Sequence, residues 1–305
     1  MSARSQPGPI LVTGAHRSGT TWVGKMLALA PGTGYLHEPF SPVTDPGVSA
    51  APFERFFTYL TAENEARYRP ALERTLAFRY DWRAQLPRIR GARAAGRTLR
   101  DAAAFARARR RHARPVMKDP IALLSAPWLA DNFHMDVVLT VRHPAGFAGS
   151  IRRLDWSFPF EAFLGDPRLA AFEPELQGQL ASPGDFITRA GLLWRVLYTL
   201  VDRYRTEHPD WIVVRHEDLS REPLPGFERL YAALGLELTP AAAREISSHS
   251  APTVAPVRHP SPHKVRMDSA ATIGNWRDRL TGEELRRLEA NVRDVSRRFY
   301  ADDEW

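Results

Sequence analysis

The chain of 305 residues contains no cysteine, which excludes disulfides and thiolate-held metal. It has no run of about eighteen apolar residues, so a membrane-spanning helix is not expected. Residues 1–9 are polar and lack the apolar core of a secretory signal, and the expectation is a cytoplasmic protein. Acidic charge is in deficit: 42 Lys and Arg face 35 Asp and Glu, leaving a net charge of +7. Such a surplus suits anionic ligands, whether phosphorylated small molecules, nucleic acid or an acidic membrane surface. One more absence sits inside a motif. Gly14 and Gly19 have the spacing of a nucleotide-triphosphate loop, yet Thr20 stands where the Lys that reaches the β and γ phosphates belongs.

What is present around that gap is a phosphate loop for a shorter chain. Ile10-Leu11-Val12 reads as a strand entering a glycine-rich turn that opens a helix, an arrangement that offers backbone N–H groups and the positive helix end to an anion. The nearest cation is Arg17, within the loop. A second candidate lies downstream. Asp136 to Val141 reads as a buried parallel strand delivering Arg142-His143-Pro144 at its C-terminal end, where open α/β sheets bind ligands. Pro144 suits the first turn of a helix, and Ser150 falls two turns into it, so Arg142 and Ser150 can share one phosphate.

Arg17-Ser18-Gly19-Thr20-Thr21-Trp22 resembles the 5′-phosphosulfate loop of sulfotransferases that use 3′-phosphoadenosine 5′-phosphosulfate (PAPS), and the Arg142 and Ser150 spacing resembles that family's 3′-phosphate site. The resemblance implies that His16 to Trp22, with Arg142 and Ser150, bind PAPS, that the product is the 3′,5′-bisphosphate PAP, and that no metal is required. Val213 to Leu219 is similar to the family's strand and polar turn beside the adenine, with His216 in place of the usual Tyr. His263-Lys264-Val265-Arg266 and Ile273-Gly274-Asn275-Trp276-Arg277 look like the segment that closes over the nucleotide, which makes Lys264, Arg266, Trp276 and Arg277 candidates.

Lys118-Asp119-Pro120 occupies the place where cytosolic members carry Lys-Thr-His, and by register their catalytic histidine falls on Pro120. The base must come from elsewhere. Glu38, in Tyr35-Leu36-His37-Glu38-Pro39-Phe40, matches the Glu base of the carbohydrate and bacterial type, and Pro39 is expected to hold it extended. His37 is the rival base, and strand alternation puts the two on opposite faces. Lys118 is placed near the sulfuryl group or against a carboxylate.

The expected fold is a single α/β domain over 1–305, a mostly parallel sheet flanked by helices, with a helical, Arg-rich insertion at about 52–113 and a cofactor-closing segment at about 250–280. Strands are predicted at Ile10 to Thr13, Tyr35 to Glu38, Pro115 to Lys118, Val137 to Val141 and Trp211 to Arg215, and a core-facing helix at Asp185 to His208. Phe158 to Leu180 reads as a mobile wall of an acceptor pocket. Arg90, Arg93, Arg97, Arg100, Arg107, Arg109, Arg110 and Arg111, interleaved with Ala, read as a solvated basic face able to approach an acidic lipid or glycan. Richness in Ala, Arg and Pro suits a GC-rich bacterial genome. The function so expected is sulfuryl transfer from PAPS to a hydroxyl of a glycan, glycolipid or natural product, with peripheral membrane contact allowed and no nucleic-acid partner. The alternatives are a small-molecule kinase, whose Lys and magnesium carboxylate are not in place, and a non-catalytic polyanion binder. The acceptor and the oligomeric state are not legible.

Overall fold

The computed structural model describes residues 7–153, 184–250 and 273–305. Five strands form one sheet in the order β2-β3-β1-β4-β5: β1 (Ile10–Gly14), β2 (Thr33–His37), β3 (Arg114–Lys118), β4 (Asp136–Val141) and β5 (Ile212–Arg215). The pairings of β1 with β3, β2 with β3 and β4 with β5 are parallel. By sequence, β1 and β4 are near-continuous runs of Val, Leu, Ile and Thr, and they are buried throughout except at Asp136, as expected of strands covered on both faces. Each strand expected from the sequence is present, with no end displaced by more than two residues.

Backbone contacts group the chain into two compact units. The first, Met1–Thr13 with Val23–Val137 and Tyr231–Glu237, holds β1 to β3 and the insertion. Val12 and His37 both register with Lys118, so the residues that follow these strand ends leave at one level. The insertion contains α2 (Arg69–Leu76), α3 (Trp82–Gln85) and α4 (Gly91–Arg110), whereas residues 53–60 form no helix. A 3-10 turn over Pro120–Ser125 begins directly after β3, capped by the Asp119 carboxylate, which accepts the Ile121 N–H (3.0 Å). The helix α5 (Ala126–Phe133) then leads into β4.

The second unit, Gly14–Trp22 with Val138–Leu230 and Leu238–Trp305, carries the glycine loop. Helix α1 (Thr20–Leu27) starts as the loop ends. Pro144 opens α6 (Pro144–Arg153), and α7 (Phe186–Glu207) packs its apolar stripe of Leu193, Trp194, Leu197, Tyr198 and Val201 into the core. β5 ends at Arg215, and α8 (His216–Arg221) begins at once, so the polar turn expected after the strand is a helix. The remaining helices are α9 (Pro223–Ala233), α10 (Pro240–Ser250) and α11 (Gly282–Ser296), the last opened by a capping box between Thr281 and Glu284. Lys264, Arg266 and the expected acceptor wall at Phe158 to Leu180 lie outside the described residues. No described helix is long and apolar enough to cross a membrane.

Candidate active site

The loop is shaped by three left-handed residues, Gly14 (φ 138°), Arg17 (φ 65°) and Gly19 (φ 94°). Two of them also mark close approaches. A Cβ on Gly14 would lie 2.4 Å from the carbonyl oxygen of Thr140, and one on Gly19 would lie 2.8 Å from His216 Nδ1. Ser18 turns its hydroxyl inward, onto the carbonyl of Ala15 and, at 2.5 Å, onto Thr140 Oγ1. Thr140 therefore seats the loop against β4, a role the sequence did not reveal because a Thr within a buried strand carries no distinguishing signal.

The same unit brings together two cations, Arg142 buried and Arg17 half-buried. Arg17 Nε donates to Ser150 Oγ (3.1 Å), and Arg142 Nη1 donates to the Arg17 carbonyl (2.7 Å). Burial, Arg142 and Arg153 together hold the Arg17 guanidinium down at about 10. Arg142 is lowered as well, by burial first and with Arg279 contributing, while Glu217 acts in the opposite direction. Arg142 Nε has no partner among the described residues. Two guanidiniums brought together, one buried and one half-buried, with a donor to spare on Arg142 and the Ser150 hydroxyl on Arg17, have the chemistry to take a phosphate-type anion. Thr20 is buried and Thr21 half-buried at the start of α1, where backbone N–H groups face outward along the helix axis.

Trp22 and His216 back the loop rather than face outward. Both are nearly buried, with ring centroids 6.1 Å apart, and Trp22 meets Phe227 edge-on at 5.3 Å. Burial, with Arg142 and Arg17, pushes the His216 imidazole well below its ordinary value, so it stays neutral. His16 packs on Phe147 (5.3 Å), and burial with Arg17 holds it at about 3. Trp276 stacks on His143 (5.7 Å) and covers Gly149, and Arg277 lies over the Trp276 ring (4.1 Å). The end of β4 is held by its neighbours: Tyr198 accepts the Arg142 N–H (3.0 Å), Trp194 Nε1 donates to its carbonyl (2.9 Å), and Glu217 accepts from both the His143 N–H (3.0 Å) and the Tyr300 hydroxyl (2.9 Å).

In the first unit, Glu38, Lys118 and Asp119 cluster at the ends of β2 and β3. Glu38 is not extended as Pro39 led us to expect; it sits at φ 45°. Three bonds impose this turn: its N–H donates to the Lys118 carbonyl (2.8 Å), and its carbonyl accepts from the Ser41 N–H (3.1 Å) and Thr44 Oγ1 (2.6 Å). The β2 pairing thus continues for one bond beyond the strand before the chain reverses. Lys118 is wholly buried and its ammonium is paired with the Glu38 carboxylate, whose side chain keeps 24% exposure. Burial lowers Lys118, and Glu38 and then Asp119 oppose that shift. Asp119 accepts the Phe40 N–H (2.7 Å) and ties the segment after Glu38 to β3; burial, with Glu38 adding to it, raises its carboxyl to about 7. Asp before Pro is an N-cap signature and could have been read from the sequence. Tyr35 donates to His37 Nδ1 at 3.3 Å, or accepts from it, depending on the tautomer. Among the described residues, no group of three or more His, Asp or Glu is arranged to hold a metal ion.

Residues 9–240, about three quarters of the chain, match the model of the sulfotransferase family. The chain belongs to that family. Among solved structures, the sulfotransferase is similar to the sulfotransferase domain of a Synechococcus olefin synthase (18% identity, 98% of this chain and 97% of that one, TM-score 0.48). It is similar also to the sulfotransferase domain of the curacin biosynthetic pathway (15%, 95% and 99%, TM-score 0.48) and to a sulfotransferase of Mycobacterium tuberculosis (18%, 81% and 72%, TM-score 0.41). No curated protein matches it.

One pH dependence follows from His143, which is enclosed by Trp276, Tyr300 and Trp305 and held at about 4 by burial. Its folded pKa lies below the ordinary 6.5, so the unfolded chain takes up the proton first and stability is lost as pH falls from 6.5 toward 4. Urea unfolding of the sulfotransferase at pH 5 is expected to give a free energy about 2 kcal/mol below that at pH 7 from this residue alone. The gap should narrow by that amount in His143→Phe.

Proposed function

We propose that the sulfotransferase uses PAPS and sulfates a hydroxyl, with Glu38 as the general base. The observation that carries this reading is the grouping of half-buried Arg17 with buried Ser150 and Arg142, whose spare donor and mutual repulsion call for an anion with more than one charged group. When bound, PAPS would supply the sulfuryl group. Arg17 and the N–H groups at the start of α1 would hold the 5′-phosphate and stabilise negative charge growing on the bridging oxygen. Thr20 and Thr21 would add hydroxyl donors, and Arg142 with Ser150 would hold the 3′-phosphate. Sulfuryl transfer, like phosphoryl transfer, places most of the burden on position and charge. Glu38 would take the acceptor proton as the new S–O bond forms, and Lys118 would keep that carboxylate ionised and aimed. Lys118 is then a positioning residue. His216, Trp276 and Arg277 are retained as nucleotide contacts on this reading, with His216 acting through the loop it supports.

Calorimetry distinguishes this from triphosphate chemistry. PAP is expected to bind without magnesium and at least roughly tenfold more tightly than adenosine 5′-phosphate, the advantage of a second charge-assisted phosphate contact. Tight ATP binding that requires magnesium would refute it.

A further inference from the structure

The Arg-rich insertion takes no part in the chemistry above, yet α4 is more than a solvated helix. Its inner face, Thr98, Ala102 and Phe105, is buried, and Gln85 Nε2 donates to Thr98 Oγ1 (3.1 Å), fastening α3 alongside. Helical periodicity puts Ala92, Gly96, Leu99, Ala103 and Ala106 on a second face, all exposed, and Arg93, Arg97, Arg100 and Arg107 on a third. Arg93, Arg97 and Arg107 have no ion-pair partner among the described residues, and like charges at this spacing work against the helix unless something outside offsets them.

Exposed apolar bulk also falls within the insertion. Of the five large apolar side chains exposed among the described residues, Trp82 (42%), Leu86 (59%) and Leu99 (63%) belong to this insertion. Trp82 also lines an open cleft of about 720 Å³ together with Tyr80, Arg79, Arg109, Arg110 and His112. We propose that this face of α3, α4 and the turn between them docks onto an anionic lipid bilayer. The arginines would meet headgroup phosphates and carboxylates, while Trp82, Leu86 and Leu99 enter the boundary between headgroups and acyl chains. Nucleic acid would recruit the same arginines but gives two exposed leucines nothing to bury against. A free phosphate or soluble glycan has the same shortcoming.

The test uses the full chain, sedimented with phosphatidylcholine vesicles containing about a quarter phosphatidylserine at about 0.1 M salt. Binding to these and not to pure phosphatidylcholine is expected. Leu86→Ser with Leu99→Ser should lower the partition coefficient about tenfold, and Arg97→Glu with Arg100→Glu should lower it by a similar factor and flatten its salt dependence. Both pairs lie at the surface, so thermal unfolding should be unchanged. The proposal is overturned by absence of binding to anionic vesicles, by a double-Ser variant that partitions like the wild type, or by tighter binding to an oligoribonucleotide than to the vesicles.

Discussion

Glu38→Gln is expected to bind PAP as the wild type does while losing sulfuryl transfer about a thousandfold, the usual contribution of a general base. Gln keeps an oxygen that can accept from Lys118 Nζ and fits the backbone turn that three hydrogen bonds impose at this position. It cannot take a proton from a hydroxyl. The cost appears in stability, since Lys118 is wholly buried and would be left with only Asp119 nearby as a counter-charge. Melting should therefore fall while nucleotide affinity, measured by calorimetry, does not. A variant that is folded, binds PAP and still transfers at the wild-type rate would move the base to His37.

Arg142→Ala is expected to weaken PAP by a hundredfold or more, on the order of 3 kcal/mol for charge-assisted bonds to a doubly charged phosphate. Adenosine 5′-phosphosulfate, which lacks the 3′-phosphate, should lose only about tenfold, for a reason the structure supplies. Arg142 also donates to the carbonyl of Arg17, so the substitution frees one tether of the loop and the response is not confined to the 3′ end. Competition binding of the two nucleotides measures the difference. Equal losses would mean that Arg142 serves only the loop.

The strands were legible because buried parallel strands write themselves as runs of Val, Leu and Ile, and the loop because glycine spacing is rigid. The places of Arg142, just past a strand end, and of Ser150, two turns into the next helix, were legible as well, but not that Ser150 accepts from Arg17. What escaped was decided by contacts distant in sequence. Nothing near Thr140 announces that its hydroxyl meets Ser18, and nothing in His216-Glu217-Asp218 shows that Glu217 holds the His143 N–H and the Tyr300 hydroxyl. Glu38 was misjudged in its backbone because the preference of a residue before proline is weak, and bonds to Lys118, Ser41 and Thr44 override it. The helix at His216 was missed since the segment lacks an apolar period, and Arg215 offers no capping side chain.

The paired guanidiniums of Arg17 and Arg142 have a kinetic meaning on the proposed reading. They grip phosphates, and the reaction removes a sulfuryl group while both phosphates stay on the nucleotide. Spent and charged nucleotide would then share the Arg142 anchor, an instance of uniform binding, whereas Arg17 would add on the bridging oxygen a stabilisation that only the transition state draws on. The burial of Arg142 that would favour a doubly charged phosphate would also slow its release, so product departure is expected to weigh on turnover.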